Sequence, residues 1–160
     1  MGLASSMTKR SAGILLYRRT PSGPEVFLIH PGGPFWAKKD KWSIPKGEYH
    51  DGEPPVEAAR REFQEETGSS LVDLPDKKFT PLGVIRQPAG NEVTAWAVEG
   101  EFDPATLVSN TCFVEWPPRS GRQIEIPEAD RGDWFDFATA REKIFSGQEA
   151  FLDRLAEFLG

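Results

Sequence analysis

The sequence predicts an α/β domain, an α/β/α sandwich around a mixed β-sheet. Three observations carry that expectation. Short apolar runs bounded by proline and glycine clusters alternate with amphipathic segments along the chain. A single helical segment stands between strand signals, and helical periodicity returns only at the C-terminal end. The 160 residues suit one domain with a sizeable core, covering residues 9–160, with residues 1–8 read as a disordered leader.

Taken in order, residues 11–17 and 25–30 are apolar runs joined by Thr20-Pro21-Ser22-Gly23-Pro24, which predicts a hairpin. Pro31-Gly32-Gly33-Pro34 ends the second strand, and a short strand at 41–44 delivers the chain to Pro45-Lys46-Gly47. A helix is predicted over 54–67, because proline suits a first turn and Gly68 suits the position just past a last one. Residues 82–87 and 92–99 are strands around a Pro88-Ala89-Gly90-Asn91 turn. Residues 103–127 read as irregular, with a short strand at 111–116. The end is helical over 138–145 and 148–159, with Phe151, Leu152, Leu155, Phe158 and Leu159 forming an apolar stripe for the core.

Composition narrows the function. A formal charge of −6 argues against a stable nucleic-acid complex, which needs a basic face, but allows a phosphorylated small molecule. Cys112 is the only cysteine, so no disulfide framework or Cys-rich zinc site exists. No apolar run reaches the length of a membrane span and no signal peptide opens the chain, so a cytoplasmic monomer or homodimer is expected. Met1-Gly2-Leu3-Ala4-Ser5-Ser6 fits a loose myristoylation pattern, but with Met7 following it reads better as an alternative start or a cloning remnant.

The chemistry concentrates in residues 47–69. Glu62, Glu65 and Glu66 stand at i, i+3 and i+4 and share one helix face. Like charges so spaced repel by roughly 0.2–0.5 kcal/mol per pair, so a purely structural helix would gain by separating them. A hard divalent cation, Mg²⁺ or in its place Mn²⁺, removes the conflict by taking carboxylate oxygens together with substrate phosphates.

Read as G-x5-E-x7-R-E-hydrophobic-x-E-E-x-G, the stretch fills every fixed position with Gly47, Glu53, Arg61, Glu62, Phe63, Glu65, Glu66 and Gly68. It resembles the Nudix box of hydrolases that act on a nucleoside diphosphate linked to another group, with Ser69 where the pattern has an aliphatic residue. The resemblance implies the fold named above, metal ligands at Glu62, Glu65 and Glu66 joined by the backbone carbonyl of Lys46, and a structural Arg61 that orients Glu53 or pairs with Glu57. The general base is either a box glutamate or Glu128, whose spacing to Trp134 resembles the mutator-type pyrophosphatases.

Substrate contacts fall outside the box. Lys46 is the best phosphate ligand because Pro45 pins it beside the helix, and Lys38, Lys39, Lys41, Arg119 and Arg122 are further cations. Trp36, Trp42, Trp96 and Trp116 are candidate base-stacking platforms, at least half of them expected in the core. His30 is read as a satisfied structural histidine and His50 as exposed. Trp42-Ser43-Ile44-Pro45-Lys46-Gly47 resembles the W-x-x-P-K-G segment of the diadenosine tetraphosphate hydrolases, although Glu48 replaces their histidine and no tyrosine follows Tyr49. That resemblance implies diadenosine tetraphosphate cleaved to ATP and AMP. A nucleoside triphosphate pyrophosphatase and a non-catalytic nucleotide-binding module are the alternatives.

Overall fold

The computed structural model describes residues 9–71, 73–88 and 90–160, so the leader and its myristoylation pattern lie outside the described residues. Strand β1 (Arg10–Thr20) turns back into β2 (Gly23–Pro31) through a tight turn in which the Thr20 hydroxyl donates to the Gly23 carbonyl at 2.6 Å. On its other edge β1 runs parallel to β5 (Glu92–Glu99), while β4 (Thr80–Arg86) lies antiparallel to β5 and β8 (Ala129–Asp136) antiparallel to β2. Near its start β1 also pairs with the three-residue β3 (Lys46–Glu48), which completes a six-stranded mixed sheet of order β4-β5-β1-β2-β8.

Both faces of the sheet are covered, which is why its central strands read as continuous apolar runs. Ala12, Ile14 and Leu16 of β1 point to one side and pack with Ala58, Ala59 and Phe63 of helix α1 (Pro55–Thr67). Leu15 and Tyr17 point to the other and join Phe151, Leu152 and Leu155 of α3 (Glu149–Leu159) and Ala140 of α2 (Phe137–Lys143). Of the expected α3 stripe, Leu159 also packs against this cluster, whereas Phe158 is 55% exposed.

Helix α1 begins and ends as its punctuation predicts. Pro55 opens the first turn, and Gly68 closes the last with φ +83° and its N–H donating to the Gln64 carbonyl at 2.8 Å. Residues 41–44 make only isolated bridges rather than a strand, Ser43 to Ile29 and Trp42 to Ile144.

The region after residue 103 is more regular than its sequence. The strand β6 (Thr111–Glu115) is where it was expected, but it pairs with an unforeseen β7 (Gln123–Pro127) in a separate two-stranded ribbon, and β8 follows after one residue. In β7, Ile124 and Ile126 alternate with exposed polar residues, so one face is only half-buried. In β8, Asp130, Arg131 and Asp133 mask the strand signal because an edge strand keeps one face in water. Gly132 is needed there, since a β-carbon would stand 2.4 Å from the Phe27 ring across the β2–β8 pair.

Candidate active site

The site forms where the start of β3, the buried face of α1 and the gap between β7 and β8 converge. Glu62 and Glu66 lie one helical turn apart on α1 and are both buried. Glu128 fills the one-residue gap, and carboxylate oxygens of Glu62, Glu66 and Glu128 all lie within 4.8 Å of one another. Burial pushes the Glu66 carboxyl well above the usual carboxylate range, and the charges of Glu128 and Glu62 push the same way. The Lys46 ammonium and a hydrogen bond from the Lys46 backbone oppose that shift. Glu62 is raised by burial and by Glu65, and Glu128 by burial and by Glu65.

Backbone bonds hold these carboxylates together. The Asn110 N–H donates to the Glu65 carbonyl at 2.6 Å, and the Glu128 N–H donates to the Asn110 carbonyl at 2.9 Å. The Gly32 N–H in turn donates to the Glu128 carbonyl at 3.2 Å. Glu128 is therefore fixed to the last turn of α1 on one side and to the loop after β2 on the other. At Gly47 the Glu62 carboxylate packs directly on the backbone, because a β-carbon there would sit 2.1 Å from the Glu62 Cδ.

Arg61 works as the organising cation beside them. Its Nε donates to Glu53 Oε2 at 2.9 Å and its Nη2 to Glu53 Oε1 at 3.0 Å, a two-pronged grip. Its Nη1 donates to Glu62 Oε1 at 2.8 Å and to Glu65 Oε2 at 3.2 Å. The hydrogen bond with Glu53 is the main reason that the guanidinium is raised and the Glu53 carboxyl lowered. Glu57 does not reach Arg61 and pairs with Arg60 at 3.6 Å. Glu65 turns toward Arg61, so the close trio is Glu62, Glu66 and Glu128 rather than the three box glutamates.

Two cavities open beside Glu66 and Glu128 and share these two residues, Pro31 and Trp36 in their walls. One, of about 550 Å³, is an aromatic arm between the loop after β2 and the β6–β7 ribbon, with Phe35, Trp36, Val114 and Trp116 in its lining. The other, of about 620 Å³, is more polar and is bounded by Ser43, Lys46, Gln87, Phe145 and Gln148. The aromatic arm has room for a planar ring, and the polar arm presents one cation, Lys46, and the Gln87 side chain.

The remaining expected residues scatter. Trp36 and Trp116 reach the aromatic arm. Trp42 does not stack on a ligand: it is 5% exposed, its Nε1–H donates to Asp40 at 2.7 Å, and its ring meets His30 and Phe135 edge-on. Trp96 also misses the cavities, because its side chain packs on the α1 side of the core. Lys41, Arg119 and Arg122 are exposed and line neither cavity. His30 is buried between Asp130 at 3.0 Å and the Lys39 carbonyl at 2.6 Å, a structural place, and His50 is exposed. Phe35, Gln87, Phe145 and Gln148 went unnoticed in the sequence. Each stands in an ordinary loop or helix-end context, and only the fold brings it to the cleft.

The carboxylate trio suits a hard divalent cation: it offers oxygen atoms only, and its buried mutual repulsion has no other relief among the described residues beyond Arg61 and Lys46. No helix among the described residues is long and apolar enough to cross a membrane.

Several known proteins are similar to this chain. Residues 7–155 match the family described as NUDIX domain. The chain is 38% identical over 141 residues to the 8-oxo-(d)GTP phosphatase of Mycolicibacterium smegmatis, covering 78% of this chain and 40% of that protein. It is 39% identical over 149 residues to a nucleoside triphosphate pyrophosphatase/Nudix hydrolase fusion protein of Bifidobacterium longum, covering 88% of this chain and 30% of that one. The chain thus spans less than half the length of both curated relatives. Among solved structures, the C. elegans Ap4A hydrolase in a binary complex superposes with a TM-score of 0.66 at 19% identity, over 95% of this chain and 98% of that one. With an α/β sandwich, a filled Nudix box and a family match over nearly its whole length, the chain belongs to the Nudix family.

Proposed function

We propose that this chain hydrolyses a phosphoanhydride bond in a nucleotide, with Mg²⁺ or Mn²⁺ as cofactor and a dinucleoside polyphosphate as substrate. The observation that carries the reading is the position of Glu66 and Glu128 in the shared wall of two cavities. A bond cleaved at the trio then leaves room for a group on each side, as diadenosine tetraphosphate giving ATP and AMP requires. When bound, the cation neutralises phosphate charge and makes water a better nucleophile. Glu62, Glu65 and Glu66 would hold it together with the Lys46 carbonyl, and the Glu65 carboxylate is bonded to Arg61.

Glu128 takes the proton of the attacking water, for which its place beside the box glutamates qualifies it. Arg61 keeps Glu62 and Glu53 in place, and the Lys46 ammonium binds the phosphate chain. Trp36 and Trp116 sandwich one base.

A second reading, a nucleoside triphosphate pyrophosphatase, draws on the printed activities of the two sequence relatives. A substrate panel with Mg²⁺ and Mn²⁺, its products resolved by chromatography, separates the two. The first reading expects ATP and AMP from diadenosine tetraphosphate, with heavy-oxygen label from water in only one of them. A kcat/KM for triphosphates far above that for any dinucleoside polyphosphate would replace it with the second. Nucleotide binding without cleavage of any substrate would leave only a binding module.

A further inference from the structure

We infer that Gln148 is a positioning residue for the metal-binding carboxylates, acting through the Ile44-Pro45-Lys46 segment; the inference rests on the metal-dependent reading above. Gln148 is 2% exposed and lies at the start of α3, on the side of the sheet opposite α1, yet it lines the polar arm. Both ends of its amide are engaged by one short segment. Its Oε1 accepts from the Ile44 N–H at 3.0 Å, and its Nε2 donates to the Ser43 hydroxyl at 2.9 Å. That hydroxyl donates onward to the Ile44 carbonyl at 2.7 Å. The Ile44 N–H and C=O are thus both held by side chains, while the Ser43 carbonyl before them accepts from the Ile29 N–H of β2 at 2.8 Å.

Backbone bonds anchor Trp42 to Lys143 and Phe145 and Ser43 to Ile29, so the hold that Gln148 adds falls on Ile44, the residue between these bridges and Pro45. Residues 41–44 form isolated bridges only, and Pro45 has no N–H to contribute. Two residues beyond Ile44, Lys46 shares the wall of the polar arm with Glu66, and the next residue, Gly47, lies directly against the Glu62 carboxylate. The Pro45 carbonyl accepts from the Ile14 N–H at 3.1 Å, and Gly13 of β1 lies against Lys46 so closely that a β-carbon would meet the Lys46 Cβ at 2.8 Å. Ile44 and Pro45 are therefore fixed from opposite sides, by Gln148 and by β1, and the stiff proline passes that placement to Lys46. Loosening the Gln148 side lets Lys46 and Gly47 shift against Glu66 and Glu62, with the aromatic arm untouched.

The test compares wild type with Gln148→Met, which keeps the volume and removes both hydrogen bonds, Gln148→Glu, which keeps an acceptor for the Ile44 N–H, and Ser43→Ala, a smaller change in the same chain. Mn²⁺ affinity is read by calorimetry without substrate, and kcat and KM separately by steady-state kinetics. The expected result for Gln148→Met is Mn²⁺ affinity about tenfold weaker and a kcat lowered by a similar factor, with KM nearly unchanged. Gln148→Glu restores much of both, and Ser43→Ala falls between. If Gln148→Met does not fold, Ser43→Ala carries the test alone. Melting temperatures that fall while Mn²⁺ affinity and kcat stay at wild-type values would overturn the inference and leave Gln148 a packing residue. A wild-type chain that binds no Mn²⁺ would instead overturn the metal reading on which this one stands.

Discussion

Glu66 stands in sharp electrostatic conflict with its surroundings. It is buried, it faces two other carboxylates, and its relief comes from Lys46 alone among the charges that reach it. Such a group costs stability and is kept for what it does. Glu66→Gln should therefore raise the melting temperature of the metal-free protein while removing turnover, a pair of results that calorimetry in chelator and an activity assay check together. Glu128→Gln should lower kcat by roughly 10²–10⁴-fold with little change in KM if it is the base. A loss below tenfold would return that role to a box glutamate. Arg61→Lys keeps the charge but loses the two-pronged grip on Glu53 together with the bonds to Glu62 and Glu65, so it should impair turnover nearly as much as Arg61→Ala. At this scale the sequence was legible wherever spacing along one helix decides geometry, as for Glu62 and Glu66. It was not legible for Trp42, because nothing local says which side of a loop a ring will face.

Elements were legible in proportion to how fully the fold buries them. Strands β1 and β2, covered on both faces, and helix α1, bounded by proline and glycine, announce themselves. Strands β7 and β8 do not, because one lies in a small ribbon and the other at a sheet edge, where charged residues cost nothing. The end of α1 offers a clean test. Gly68 adopts φ +83°, and a β-carbon there would stand 3.0 Å from the Val108 carbonyl oxygen. Gly68→Ala should cost about 1–2 kcal/mol from the left-handed backbone alone, measured by denaturant unfolding. The ribbon makes a functional counterpart: Trp116→Ala, in the aromatic arm, should raise KM for nucleotides more than it lowers kcat, since it removes a stacking surface present in both ground and transition state.

Across the whole molecule, one of the two core clusters lies on the sheet face away from the chemistry. The aromatic and aliphatic side chains that pack α3 on the sheet lie on the face opposite the carboxylates of α1. Removing the divalent cation with a chelator should therefore abolish hydrolysis and leave the far-ultraviolet circular dichroism unchanged. Phe151→Ala, fully buried in that opposite face, should cost roughly 3–5 kcal/mol of stability and spare the metal affinity of whatever remains folded.

Glu128 is the whole of the connection between β7 and β8, and those strands belong to different sheets. A hinge one residue long has no slack. Any tilt of the β6–β7 ribbon, whether from a ring entering between Trp36 and Trp116 or from a mutation at its tip, is delivered to the peptide units that carry the Glu128 carboxylate. Gly32 sets the clearance for that movement, since a β-carbon there would sit 2.0 Å from the Pro127 carbonyl oxygen. The proposed base-holding wall and the proposed proton acceptor thus share one lever, and on that reading a ligand too small to brace the wall leaves Glu128 aimed by the protein alone.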